Sequence, residues 1–204
     1  MKRPVLGVLM ACAIAAPASA NIVTLDYFGK ITDGTDTAGL FGAPMSDLTG
    51  DGVLVALVFN TDQGTRMTDP GVSDLVFGGT EVGVPSPLVS ATVTIDGKSV
   101  AMGGDFFATA LTVAGQSISA SVASDAVDDI TVMAFDTDAP ASLDTPFKPH
   151  GPGVGTFTFS QPDGTELASA NFSIPEPATW AMMLMGLGGI GAMLRDRRRV
   201  AAAA

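Results

Sequence analysis

Strict alternation of polar and apolar side chains is the feature that most narrows what this chain can fold into. Ser90-Ala91-Thr92-Val93-Thr94-Ile95 alternates without a break, Asp96-Gly97 follows, and Lys98 to Met102 returns. A period of two puts all apolar side chains on one face of a strand, and Asp-Gly is the dipeptide that closes a two-residue type I′ turn. The segment is predicted to be a β-hairpin. Thr156-Phe157-Thr158-Phe159 alternates in the same way, reaches Pro162-Asp163-Gly164-Thr165, and returns through Ala168 to Ile174, so a second hairpin is predicted there. Further strands are expected at Ile22 to Ile31, Val53 to Phe59, Asp74 to Phe77, Phe106 to Val113, Ser117 to Val122 and Ile130 to Phe135, separated by Gly, Pro, Asp and Ser clusters. Between residues 21 and 174 no helical period persists beyond two turns. The expectation is an all-β domain of about ten short strands, arranged as an antiparallel, jelly-roll-like β-sandwich.

The two ends differ from this body. Met1-Lys2-Arg3 is basic, Val5 to Ala16 is an apolar run, and Pro17-Ala18-Ser19-Ala20 supplies small residues at the positions a signal peptidase reads. Residues 1–20 are therefore predicted to be a signal peptide, with Ala18 and Ala20 as the processing residues and Asn21 as the first mature residue. Leu9-Met10-Ala11-Cys12 has some likeness to a lipobox, but Met10 fits its position poorly and the chain stays apolar as far as Ala16. With cleavage after Ala20 the single cysteine is lost, which excludes disulfides and cysteine catalysis.

At the other end Pro175-Glu176-Pro177 precedes an uninterrupted apolar run, residues 178–194, which Arg195-Asp196-Arg197-Arg198-Arg199 closes. At about 1.5 Å per residue, a helix of that length just crosses a bilayer core. Trp180 stands where an interfacial aromatic belongs, and Arg195, Arg197, Arg198 and Arg199 can hold lipid phosphates while resisting passage across the membrane. The prolines keep the segment before the helix extended, where a protease can grip its backbone. The division expected is 1–20 signal peptide, 21–174 acidic ectodomain, and 175–204 sorting segment with a transmembrane helix and a cytoplasmic arginine tail.

Pro-Glu-Pro, an apolar helix carrying Trp180, and a terminal arginine cluster together resemble the PEP-CTERM sorting signal of exported bacterial proteins. The likeness covers about the last thirty residues. It implies processing by an exosortase, a membrane cysteine transpeptidase, at or near Pro175, Glu176 and Pro177. It implies an inner-membrane intermediate and then release to the cell surface or extracellular matrix, in bacteria that make exopolysaccharide. The expected partners are signal peptidase, exosortase, membrane lipid through the helix, and exopolysaccharide. Gly186-Leu187-Gly188-Gly189-Ile190-Gly191 matches a dinucleotide-binding pattern only in letters, because no strand precedes it and too few residues follow.

Charge sharpens the reading of the body. Of the 21 acidic and 10 basic residues, 19 and 4 fall between 21 and 174, which leaves that region about −15. Such a domain repels nucleic acid and anionic polymers unless divalent cations bridge them. His150 is the only histidine, lies between prolines, and is expected to be solvated; no Gly-x-Ser-x-Gly elbow and no His-Glu-x-x-His motif accompany it. Aspartates cluster at 33 and 36, at 47 and 51, at 125, 128 and 129, and at 136 and 138. Oxygen ligands on turns suit weak Ca²⁺ binding, though none has EF-hand spacing; turn formation and solubility are the favoured explanation. No catalytic residue, resident metal or cofactor is predicted. The body lacks tryptophan, so Phe28, Phe77 or Phe147 would have to serve as a sugar platform. The sequence points to a non-enzymatic exported protein with a structural or adhesive role; a carbohydrate- or ice-binding module is the alternative, and a carboxylate-based hydrolase a third.

Overall fold

The computed structural model describes residues 21–79, 82–102, 105–124 and 128–175. Twelve antiparallel strands occur among them: β1 (Ile22–Asp36), β2 (Ser46–Asp47), β3 (Gly52–Asn60), β4 (Thr65–Asp69), β5 (Ser73–Gly78), β6 (Leu88–Ile95), β7 (Lys98–Ala101), β8 (Phe106–Val113), β9 (Ser117–Ser124), β10 (Asp129–Phe135), β11 (Gly153–Ser160) and β12 (Glu166–Ile174). No α-helix occurs among the described residues. The predicted signal peptide and the predicted helix at 178–194 lie outside the described residues, and so do the processing and anchor residues other than Pro175.

Both hairpins form where alternation and turn chemistry place them. Asp96 and Gly97 have φ of 48° and 78°, the doubly positive pair that a type I′ turn needs, and Ile95 pairs with Lys98 across it. β11 and β12 pair from Gly153–Ile174 to Ser160–Glu166, with an irregularity next to the turn.

The strands are hydrogen-bonded in the order β4-β5-β8-β9-β10-β11-β12-β1-β3-β6-β7, with β2 attached to β1. They form one curled sheet, a half-barrel with open edges at β4 and β7, in place of the two separate sheets expected of a sandwich. The reason lies in β1. Its fifteen residues do not stop at a turn. Ile22 to Lys30 pair with β3, whereas Lys30 to Thr35 pair with β12, and a register shift between Ile31 and Asp33 turns the strand from one partner to the other. A long strand that changes partners at a bulge is how a sheet turns a corner without breaking.

One face of this sheet is the core. Val53, Val55, Leu57 and Phe59 of β3 alternate into it, as do Ile118, Ala120 and Val122 of β9 and Phe157 and Phe159 of β11. Tyr27, Phe59, Phe157 and Phe172 are its largest fully buried side chains. Phe41 packs on Phe157 edge to face, ring centroids 5.8 Å apart, and so ties the loop after β1 to the core. Phe172 lies over Gly155 on β11 and close to Gly29 on β1; a Cβ on either glycine would collide with its ring. Two glycines thus make room for one aromatic ring, a pairing that lets a strongly bent sheet stay filled.

Candidate functional site

Most connections are short turns, but the seventeen residues between β10 and β11, 136–152, form a long ordered loop. Ordered loops of this length without secondary structure are commonly functional. Three buried polar groups pin this one. Asp74, fully buried on β5, accepts the backbone N–H of Leu143 at 2.9 Å and the Arg66 Nε–H at 2.9 Å. Thr112 donates its hydroxyl to the Pro140 carbonyl at 2.6 Å. Arg66 also reaches Asp144 at 2.8 Å, and Thr61 donates to the same carboxylate at 2.7 Å. Burial taken alone raises the Asp74 carboxyl; bonds from Arg66, Leu143 and Thr68 outweigh it and hold the group at about 2.

Asp136 is the third pin. Its Oδ2 accepts the N–H groups of His150 and Gly151, each at 3.1 Å, and its Oδ1 accepts the N–H of Asp138 at 3.0 Å. The two ends of the loop are thereby folded onto one buried carboxylate. His150 is solvent-exposed, as expected, with half of its side chain accessible, but it is not isolated. Its Nδ1 lies 2.9 Å from the Lys148 carbonyl and 3.0 Å from Asp136 Oδ2, while its Nε2 lies 3.9 Å from Asp138 Oδ2. Asp136, Asp138 and His150 each bring one ligand-type atom within 4.8 Å of the others. Motif counting overlooked this group because a single histidine can be joined by carboxylates that loop closure delivers from twelve and fourteen residues away.

In the other aspartate clusters Asp36, Asp47 and Asp128 serve the fold. Asp36 is fully buried and accepts four backbone N–H groups, those of Gly39, Leu40, Phe41 and Gly42, at 2.7–2.9 Å. Asp47 caps Thr49, and Asp128 accepts the N–H of Ser160. Asp125 lies outside the described residues. A cleft of about 460 Å³ opens between the start of β1 and the long loop, lined among others by Thr24, Asp26, Asp144, Phe147 and Lys148. Phe147 therefore faces a cavity, whereas Phe28 projects to solvent and Phe77 is half-buried.

The face of the sheet opposite the core has a regular chemistry. Strand pairing aligns Thr109, Ser121, Thr131, Thr156 and Asn171 in one row across β8 to β12, and Leu111, Ser119, Met133, Val154 and Ser173 in the next. Neither row contains an ionisable side chain across these five strands. Asp129, Asp33 and Glu166 lie at the margins; burial raises the Asp129 carboxyl, and the Thr131 hydroxyl partly offsets it. Asp33, Thr156, Thr158, Glu166, Ser169 and Asn171 surround a shallow polar depression of about 180 Å³ on this face.

β12 ends at Ile174, and Pro175 follows outside the strand. Residues 173–199 match the family model of the PEP-CTERM protein-sorting motif, so the matched segment overlaps the last two residues of β12 and continues beyond it. No curated protein and no solved structure matches the chain.

Proposed function

We propose that this chain is an exported surface protein whose β-domain acts without catalysis, as an adhesive or structural element holding neutral polysaccharide. The PEP-CTERM motif implies an exosortase substrate delivered to the cell envelope or surface. The role of the delivered domain is our reading, and one observation carries it: the uncharged rows of hydroxyl, amide and apolar side chains on the outer face of β8 to β12. In a region of about −15, ten aligned positions without an ionisable group stand apart. Hydroxyls and amides exchange hydrogen bonds with a polyhydroxylated polymer at little desolvation cost, and the neighbouring apolar side chains cover the C–H faces of sugar rings. The surrounding negative charge turns polyanions away and leaves neutral chains as the matching partner.

Co-sedimentation of the exported protein with an insoluble neutral glucan tests this. The native protein is expected in the pellet, and the double substitution Thr131→Asp, Thr156→Asp is expected to weaken retention about tenfold or more, two desolvated charges each costing over 1 kcal/mol. Equal retention of both proteins, or none of either, overturns the reading.

A further inference from the structure

We propose that His150 and Asp138 form a binding site for a borderline divalent metal ion, Zn²⁺ being the probe of choice, with Asp136 as its positioning residue. Nδ1 faces two acceptors, the Lys148 carbonyl at 2.9 Å and Asp136 Oδ2 at 3.0 Å, so in the neutral ring it carries the hydrogen. The lone pair then belongs to Nε2. A carboxylate or carbonyl behind one ring nitrogen and a free lone pair on the other is the arrangement in which imidazole serves metals.

Nε2 is aimed toward Asp138. The 3.9 Å to Asp138 Oδ2 is too long for a hydrogen bond, yet two metal bonds of about 2.0–2.1 Å span it. The Asp138 side chain is 78% exposed and free to turn, which closes the ligand–metal–ligand angle. Asp136 fixes both backbones from below: through its two oxygens it holds the N–H of Asp138 and that of His150, so the two residues are held side by side while the Asp138 carboxylate turns to meet the ion. Donor chemistry selects the ion. Ca²⁺ takes six to eight oxygens, whereas one imidazole nitrogen with one carboxylate suits Zn²⁺, with water completing the shell.

Because His150 is the only histidine in the chain, its ring nitrogens can be read without ambiguity. The test is long-range ¹H–¹⁵N NMR of the full-length chain in detergent micelles during a ZnCl₂ titration. The neutral ring should be Nδ1-protonated, and zinc should move Nε2 in a saturable way. Asp138→Asn, on the surface, should weaken the zinc affinity about tenfold with the tautomer unchanged, and CaCl₂ should not move Nε2. His150→Gln, followed calorimetrically, should abolish the corresponding heat. An Nε2-protonated ring, no Nε2 response up to millimolar zinc, or an affinity untouched by both substitutions overturns the proposal.

Discussion

Tyr27 is wholly buried, and its hydroxyl finds no hydrogen-bond partner among the described residues; burial drives the phenol above its ordinary range. A buried hydroxyl without a partner costs about 1–3 kcal/mol, so Tyr27→Phe is expected to raise stability by roughly 1 kcal/mol in urea unfolding. Asp74 has the opposite character. Its carboxyl, held at about 2 against an ordinary 3.8, contributes stability that is fully present above 3.8 and is lost as pH falls through about 2. That contribution is on the order of 2 kcal/mol. Urea unfolding along an acid series should therefore show a loss in that window that Asp74→Asn lacks. Few of these residue roles were visible in the sequence. Every aspartate looked like a turn former or a calcium ligand, and only three-dimensional closure separates Asp36, wrapped around four N–H groups, from Asp33 on the open face. His150 is exposed as its loop predicts, but its proximity to Asp136 is not legible, since nothing local connects the two.

Among the elements, those with two-residue alternation were legible. Phe106 to Val113 coincides with β8, and the hairpin turn at Asp96-Gly97 is where its φ values need it. β4, Thr-Arg-Met-Thr-Asp, is not legible because none of its side chains is fully buried and the two that meet Asp74, Arg66 and Thr68, are polar, so no apolar rhythm marks it. β1 ran on past Ile31 because its later half trades β3 for β12, a long-range event. Glycines separate by what surrounds them. Gly155→Ala must displace the Phe172 ring and should destabilise by about 1–3 kcal/mol, whereas Gly52→Ala meets nothing within 4 Å and should be neutral or slightly stabilising. Comparative thermal melting of the two variants decides this.

For the whole molecule, alternation implies an antiparallel all-β domain, but not the curl of its single sheet. Whether strands form one curled sheet or two stacked ones depends on a single link, β1, whose bulge has no sequence mark. Delivery is tested at this scale. Mass spectrometry of the protein from its native host should find a chain beginning at Asn21 and lacking the tail beyond the Pro175-Glu176-Pro177 region, and Glu176→Ala should retain that tail. An intact C-terminus in the unsubstituted protein counts against exosortase processing.

β12 runs through the interior of the sheet, flanked by β11 along its length and by β1 over half of it, and the sorting segment continues from its end. Whatever tethers the chain beyond Pro175 therefore pulls on an inner strand gripped from both sides. Drag on the domain would load two ladders of hydrogen bonds lengthwise and together, a shear geometry in place of the peeling that an edge strand would undergo.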